Sequence, residues 1–199
     1  MKTANFAQKP VLIGQKVILR PFEIEDAQQM LNILADPEVR RLTGSAENDS
    51  DAQAPMSEEE RERTLAWYGS RSGRGDRLDL AIADRESGEM VGEAVYNEYD
   101  ENVRSVNFRI LIGPAGRGKG LGTEAIELFL RYGFEELGLH RIGLEVFSFN
   151  PRAERVYVKS GFVLEGIKRE DFAYNGEYID AKVYGMLRSD YDKMRKGSL

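Results

Sequence analysis

A glycine-rich segment, residues 117–123, joins a strand-like apolar run to a helix-like run and has the composition of an anion-binding loop. It reads Arg-Gly-Lys-Gly-Leu-Gly-Thr, with the apolar residues Phe108, Ile110, Leu111 and Ile112 before it and the helix-like residues 124–134 after it. Glycine lets backbone N–H groups turn toward one point, and the N-terminus of the following helix adds the positive end of its dipole. The segment therefore predicts a phosphate-bearing ligand.

A Walker A loop is one interpretation of this segment. It requires G-x-x-x-x-G-K followed by Ser or Thr, whose hydroxyl binds magnesium. The spacing from Gly113 to Lys119 fits, but Gly120 stands where the hydroxyl is required. The spacing therefore argues against a nucleotide triphosphatase.

The dinucleotide-binding fingerprint is a second interpretation. Its pattern, G-x-G-x-x-G, fails from either Gly116 or Gly118, because Leu121 and Thr123, respectively, occupy the last position. The pattern that remains is R-x-x-G-x-G, formed by Arg117, Gly120 and Gly122.

A second motif follows an apolar segment that ends in Asn150. Residues 150–162 fit N-x-x-A-x-x-x-Y-x-K-x-G-F, with Tyr157 at the tyrosine position. The two motifs together resemble the GCN5-related N-acetyltransferase (GNAT) family, and the resemblance is strong over residues 80–187. The opening segment, residues 16–26, is similar to the RimJ/RimL-type branch, and the nearest likenesses are to spermidine and ribosomal-protein N-acetyltransferases.

The resemblance implies an α/β (α+β) fold, the single-domain acyl-CoA N-acyltransferase fold, over residues 1–199 with a core at about 16–190. In that fold a mixed, mostly antiparallel sheet is flanked by helices, and its fourth and fifth strands splay apart. Hydrophobic periodicity gives the order β-α-α-β-β-β-α-β-α-β-β, which agrees with this fold. A chain of 199 residues is long enough for one domain with a substantial core.

The resemblance also implies acetyl-CoA as co-substrate and no metal. The pantetheine arm is an extended chain with two amides that need hydrogen-bond partners away from water. The backbone of Ile110, Leu111 and Ile112 on the fourth strand would supply them, together with Asn150. The pyrophosphate would be bound by the loop residues Arg117, Gly118, Lys119, Gly120, Leu121, Gly122 and Thr123.

Acyl transfer from a thioester to an amine needs a neutral amine, a stabilised oxyanion and a proton for the departing thiolate. By resemblance, Tyr157 is the acid that protonates the sulfur, and Glu145 is the base. Glu93 and Glu98 are alternative bases that could act through water. Many relatives carry a glutamate where this chain has Asn107, so direct deprotonation from the fourth strand is not expected.

The expected function is transfer of the acetyl group of acetyl-CoA to a primary amine by direct attack in a ternary complex. The acceptor would be a polyamine, a small-molecule amine or a protein N-terminus. The chain has no cysteine, which removes the commonest covalent route. The alternative function is a non-catalytic acyl-CoA-binding regulatory module on the same fold.

Aromatic and acidic residues of the first helices and the last hairpin favour a cationic acceptor. They are Trp67, Tyr68, Phe172, Tyr174, Tyr178, Tyr184, Glu47, Asp49, Asp51, Glu170 and Asp171.

Composition limits the partners and the location. A formal net charge of −6 argues against nucleic acid as a partner. The sequence has neither an apolar run of membrane-spanning length nor a signal-peptide pattern, so a cytoplasmic protein is expected. The polar, turn-rich residues 44–56 predict a mobile loop. The hairpin of residues 162–187, turning at Asn175–Gly176, alternates apolar residues at a sheet edge and predicts a homodimer.

Overall fold

The structure is a computed structural model that describes residues 4–197. Its strands form one eight-stranded sheet in the order β1-β2-β3-β4-β5-β6-β8-β7. The strands are β1 (Leu12–Ile13), β2 (Val17–Arg20), β3 (Leu78–Asp84), β4 (Met90–Asp100), β5 (Ser105–Ile112), β6 (Arg141–Phe147), β7 (Val163–Tyr174) and β8 (Glu177–Leu187). The helices are α1 (Asp26–Leu34), α2 (Pro37–Leu42), α3 (Asp49–Gln53), α4 (Glu58–Gly69), α5 (Leu121–Arg131), α6 (Pro151–Lys159) and α7 (Arg188–Gly197).

Strands β5 and β6 diverge in the middle of the sheet. They are parallel, whereas the other neighbouring strands are antiparallel, and they pair only from Ser105 opposite Arg141 to Asn107 opposite Gly143. Beyond that point β5 continues to Ile112 with β4 on one side and the opening gap on the other. Because β1 adds one strand to the predicted order, these are the predicted fourth and fifth strands, and the predicted splay is confirmed.

Helices cover both faces of the sheet, and each face has its own apolar core. The larger core packs α5, α6 and α7 against residues such as Tyr96 and Phe108. Within it Tyr96 stacks on Phe129 with ring centroids 4.0 Å apart. The smaller core packs α1, α2 and α4 on the opposite face through Met30, Val39 and Tyr68, among others. The gap between β5 and β6 therefore opens between two helical layers.

The segment predicted to be a mobile loop, residues 44–56, contains helix α3. Asn48 caps this helix by accepting a hydrogen bond from the backbone N–H of Asp51 at 2.9 Å. The Asp49 carboxylate accepts hydrogen bonds from the Tyr174 hydroxyl at 2.7 Å and from the Asn175 amide at 3.0 Å. Contacts between α3 and the β7–β8 turn thus order a segment whose local composition indicates a loop.

The N-terminal hairpin is attached to α5 by one carboxylate. Glu124, in the first turn of α5, accepts hydrogen bonds from the backbone N–H groups of Gln15 and Lys16 at 2.7 Å and of Val17 at 3.0 Å. This contact fixes the β1–β2 turn beside the start of the helix. Within residues 4–197, no helix has the length and apolar character required to cross a bilayer.

We expect Glu124→Ala to lower the free energy of unfolding by about 2–3 kcal/mol, because it leaves backbone donors without a charged acceptor. The matched control is Glu127→Ala on the exposed side of the same helix, which should change stability by less than about 0.5 kcal/mol. Urea unfolding of both variants measures the difference. Equal losses of stability in the two variants would contradict the role of Glu124 in holding the β1–β2 turn.

Candidate functional site

A cavity of about 780 Å³ lies at the gap between β5 and β6. Its volume is within the range of small-molecule sites. Most of the residues predicted from sequence line it, namely Ile110, Leu111, Ile112, Arg117, Gly118, Gly120, Gly122, Thr123, Glu145, Asn150 and Tyr157. Lys119 and Leu121 line a neighbouring cavity of about 580 Å³ together with Lys16 and Arg85. The fold therefore brings the two sequence motifs to one place.

In the glycine-rich loop of residues 117–123, here called the phosphate loop, the backbone at two glycines is not obstructed by neighbouring atoms. Gly118 and Gly120 have φ angles of 75° and 80°, in the left-handed region that favours glycine. A Cβ added at Gly118 would meet no described atom within 4 Å, and at Gly120 it would meet only Lys16 Nζ, at 3.4 Å. Gly120 is the N-cap of α5, so the N–H groups that follow it have no acceptor within the helix. This backbone fits a diphosphate.

The side chains of the basic loop residues are held by carboxylates. The Arg117 guanidinium donates to Asp36 at 2.9 Å and to Glu38, and Arg152 donates to the other oxygen of Glu38 at 2.9 Å. Lys119 lies 3.3 Å from Asp84. The Arg117 pairs join the start of α2 to the loop. A direct contact between Arg117 and phosphate stays a prediction.

Tyr157 enters the cavity from α6. Its side chain is buried in the larger apolar core, and its ring makes a T-shaped contact with the ring of Phe162. Burial raises the pKa of the Tyr157 hydroxyl to about 12. The hydroxyl therefore carries its proton throughout the physiological pH range. At the start of the same helix, the side chain of Asn150 accepts the backbone N–H of Ala153 at 3.1 Å and acts as the N-cap.

Glu145 and Glu93 are two carboxylates in the cavity wall with different surroundings. Glu145, on β6, is exposed, and its Oε1 lies 2.6 Å from Nζ of Lys168. Glu93, on β4, accepts a hydrogen bond from the Tyr68 hydroxyl at 3.1 Å. Burial, with a further contribution from the charge of Asp79, raises the pKa of Glu93 to about 7. Sequence reasoning named Glu93 only as an alternative, because its burial depends on α4.

The aromatic residues that were expected to hold the acceptor have mostly structural roles. The hydroxyls of Tyr174 and Tyr184 bind Asp49 and Glu154, at 2.7 and 2.6 Å. The guanidinium of Arg71 stacks 3.5 Å from the ring centre of Trp67. Of the acidic residues named with these aromatics, Asp171 is the one in the cavity lining.

Beyond the loop, the cavity wall is acidic. Four carboxylates line it, those of Glu93, Glu98, Glu145 and Asp171. Of the basic residues in the lining, Arg117 and Arg152 are bound to Glu38, which leaves Arg109 and Lys168. An excess of carboxylates over the remaining basic side chains favours a cationic ligand in the cavity. The cavity thus combines a loop whose backbone fits a diphosphate with carboxylates suited to a cation.

Comparisons with known proteins identify the family. The family described as Acetyltransferase (GNAT) domain matches residues 16–163. The uncharacterized N-acetyltransferase YoaA of Bacillus subtilis is 28% identical over 179 residues, which cover 90% of this chain and 97% of that protein. The spermidine N(1)-acetyltransferase of Vibrio cholerae is 43% identical over 88 residues, which cover 44% of this chain and 51% of that protein.

Solved structures share the fold. A GCN5-related N-acetyltransferase from Brucella melitensis superposes with a TM-score of 0.76 at 21% identity, covering 98% of this chain and 86% of that chain. The spermidine N-acetyltransferase from Vibrio cholerae, solved with CoA and spermine, gives a TM-score of 0.76 at 27% identity, covering 89% and 99%. Another structure of that enzyme, described as dodecameric, gives a TM-score of 0.70 at 27% identity, covering 89% and 97%.

The family match spans most of the chain and agrees with the splayed sheet and its phosphate loop. The chain belongs to the GNAT acetyltransferases and is an acetyl-CoA-dependent N-acetyltransferase.

Proposed function

We propose that the enzyme transfers the acetyl group of acetyl-CoA to the primary amine of a cationic acceptor, by direct attack in a ternary complex. The observation that carries the proposal is the cavity in the β5–β6 gap, which is lined both by residues of the glycine-rich loop and by four carboxylates. Tyr157 borders the same cavity. One site can therefore hold both substrates at once, which direct attack requires.

The chain's own groups would act on acetyl-CoA in three ways. The first N–H groups of α5 would bind the pyrophosphate, and the free edge of β5 at Ile110, Leu111 and Ile112 would pair with the pantetheine amides. The Tyr157 hydroxyl would give its proton to the sulfur as the carbon–sulfur bond breaks. A carboxylate of the acidic wall would take a proton from the attacking nitrogen, with Glu145 and Glu93 as candidates.

A polyamine is the acceptor class that we propose first. An excess of carboxylates in the cavity wall would attract a substrate with more than one positive charge. The relatives from Vibrio cholerae are spermidine N-acetyltransferases, one of them solved with spermine. Small-molecule amines and protein N-termini remain alternative acceptors, the latter because the opening segment resembles the RimJ/RimL-type branch.

A panel of acceptors tests this proposal. Purified enzyme is mixed with acetyl-CoA and with spermidine, single-charge alkylamines, aminoglycosides or peptides, and the released thiol is measured. We expect the highest kcat/KM for a polyamine, and initial-rate lines that intersect, as a ternary complex requires. Parallel lines would indicate an acyl-enzyme instead. Binding of acetyl-CoA without turnover of any amine would favour the non-catalytic module.

We also propose that the enzyme is a homodimer that assembles through β7. This strand is an edge of the sheet, and it exposes Val163, Leu164 and Ile167, each about half accessible. An uncovered edge with apolar side chains favours pairing with a second copy. The relative described as dodecameric is consistent with self-association in this family.

Light scattering should give twice the chain mass of 22.5 kDa at micromolar concentration. We expect Ile167→Lys to shift the equilibrium toward monomer by at least about tenfold, since it places a charge in an apolar contact. Thr43→Lys, on the α2 side of the cavity, should leave the mass unchanged. A wild-type mass of 22.5 kDa would contradict the dimer.

A further inference from the structure

We propose that Glu93 is the base that takes the proton from the attacking amine, and that Tyr68 positions its carboxylate. This inference rests on the proposed function and identifies which carboxylate of the acidic wall performs this step.

The register of the sheet places Glu93 next to the gap. Glu93 on β4 pairs with Leu111 on β5. Leu111 belongs to the segment of β5 that runs past the end of its pairing with β6, beside the opening. Glu93 and Leu111 both line the cavity. A carboxylate on β4 is therefore one strand away from the edge at which the pantetheine arm would lie.

The groups around Glu93 hold its side chain in place. The Tyr68 hydroxyl donates to Oε1 from α4, the helix that covers this face of the sheet. From β3, Asp79 faces Glu93 with its charge bound to Arg77 at 2.7 Å. From β5, Arg109 adds a positive charge. Glu93 therefore has a fixed hydrogen-bond partner. None of the ion pairs among residues 4–197 involves its carboxylate.

The environment of Glu93 suits a base at neutral pH. Burial raises the pKa of Glu93 to about 7, whereas Arg109 and the Tyr68 hydrogen bond act in the opposite direction. A base is most effective when its pKa is near the working pH. Glu145 differs, because one of its oxygens is already occupied by Lys168.

The proton and bond changes balance with Glu93 as the base and Tyr157 as the acid. The amine nitrogen forms a bond to the acetyl carbon, and the carbon–sulfur bond breaks. The proton lost by the nitrogen moves to the Glu93 carboxylate, and the thiolate receives the proton of Tyr157. Solvent then carries one proton from Glu93 back to Tyr157, so a neutral amine and acetyl-CoA give the amide and the free thiol.

Three carboxylate-to-amide variants test the assignment: Glu93→Gln, Glu145→Gln and Glu127→Gln. We expect Glu93→Gln to lower kcat/KM for the amine about 10- to 100-fold at pH 7, with acetyl-CoA affinity within about twofold. The loss should shrink toward pH 9, where hydroxide from solvent can take the proton of the attacking nitrogen instead. Glu145→Gln should cost less than about fivefold, and Glu127→Gln, on the exposed side of α5, should resemble wild type. A larger loss in Glu145→Gln than in Glu93→Gln would overturn the proposal.

The pH dependence separates a base from a structural carboxylate. In wild type, kcat/KM should show an acidic limb with a midpoint near pH 7 in addition to the titration of the amine itself, and in Glu93→Gln only the titration of the amine should remain. Tyr68→Phe removes a hydrogen bond that lowers the pKa of Glu93. The acidic limb of kcat/KM in the Tyr68→Phe variant should therefore move to higher pH. Glu93→Asp should restore part of the rate. A limb that is unchanged in Glu93→Gln and in Tyr68→Phe would overturn both roles.

A stability measurement tests the titration of Glu93 without any turnover. The pKa of this group is raised on folding, so the folded state binds more protons than the unfolded state between about pH 4.5 and 7. Its contribution to stability is present below that window and is lost as pH rises through it. The melting temperature of wild type should therefore fall relative to Glu93→Gln between pH 5 and pH 8, and a constant difference between the two melting temperatures would contradict a raised pKa.

The two proposals can fail separately. If wild type acetylates no amine, the proposed function fails. If wild type acetylates an amine and Glu93→Gln is equally active, only this inference is overturned.

Discussion

Tyr157→Phe should lower kcat by about 10²-fold or more, with little change in the affinity for acetyl-CoA. The substitution keeps the ring and its edge contact with Phe162 but removes the proton that the thiolate needs. The pKa of about 12 means that the wild-type hydroxyl is protonated over the whole assay range. Steady-state kinetics gives kcat, and calorimetry gives the dissociation constant of acetyl-CoA.

The matched control for this variant is Tyr132→Phe. Tyr132 is a half-buried tyrosine directly after α5, outside the residues that line the cavity. We expect its kcat to stay within about twofold of wild type. A Tyr157→Phe enzyme that also stays within about twofold, too small a change for a lost general acid, would assign the proton to another group or to water.

Gly120→Ala should weaken acetyl-CoA binding about 10- to 100-fold. Gly120 is the N-cap of α5, so a Cβ there would compete with the pyrophosphate for the space beside the first N–H groups, and we expect the loss of at least one charge-assisted hydrogen bond of about 1.5–3 kcal/mol. The variant should still fold, because the nearest described atom is the mobile end of a lysine side chain, Lys16 Nζ at 3.4 Å. Its φ of 80° adds a strain of about 1–2 kcal/mol.

Gly138→Ala separates that strain from the loss of binding. Gly138 has a φ of 68° and no described atom within 4 Å of an added Cβ, and it lies between α5 and β6 outside the cavity lining. Both variants should lose similar stability on heating. Calorimetry should show weakened acetyl-CoA binding in Gly120→Ala alone, and equal affinity in the two variants would reject the loop as the pyrophosphate site.

Local patterns were sufficient for most of the framework. The loop glycines, the cap at Asn150 and the hairpin turn at Asn175–Gly176 each act over a few neighbouring residues, so their spacing is visible in the sequence. The resemblance added the splay of β5 and β6, which the register confirms. The family, the fold and the use of acetyl-CoA therefore follow from the order of the residues.

Sequence patterns missed some elements because these depend on contacts between residues that are far apart in the chain. Helix α3 depends on hydrogen bonds between Asp49 and the turn at Asn175, which are 126 positions apart in the chain. Strand β1 has two residues, and its turn is held by Glu124 of α5. No local pattern reports such contacts, because they exist only after the chain has folded.

The roles of the charged groups were decided by the tertiary structure. The spacing of basic residues indicates a site for phosphate, yet Arg117 is bound by Glu38, 79 positions away in the chain. Likewise the sequence shows several glutamates near the site, and it is burial under α4, with Tyr68 25 positions away, that distinguishes Glu93 from the others. A pKa depends on desolvation and on nearby charges in space. The sequence by itself therefore determined the reaction class, and only the folded structure distinguishes Glu93 as the carboxylate whose pKa is raised by burial to about 7.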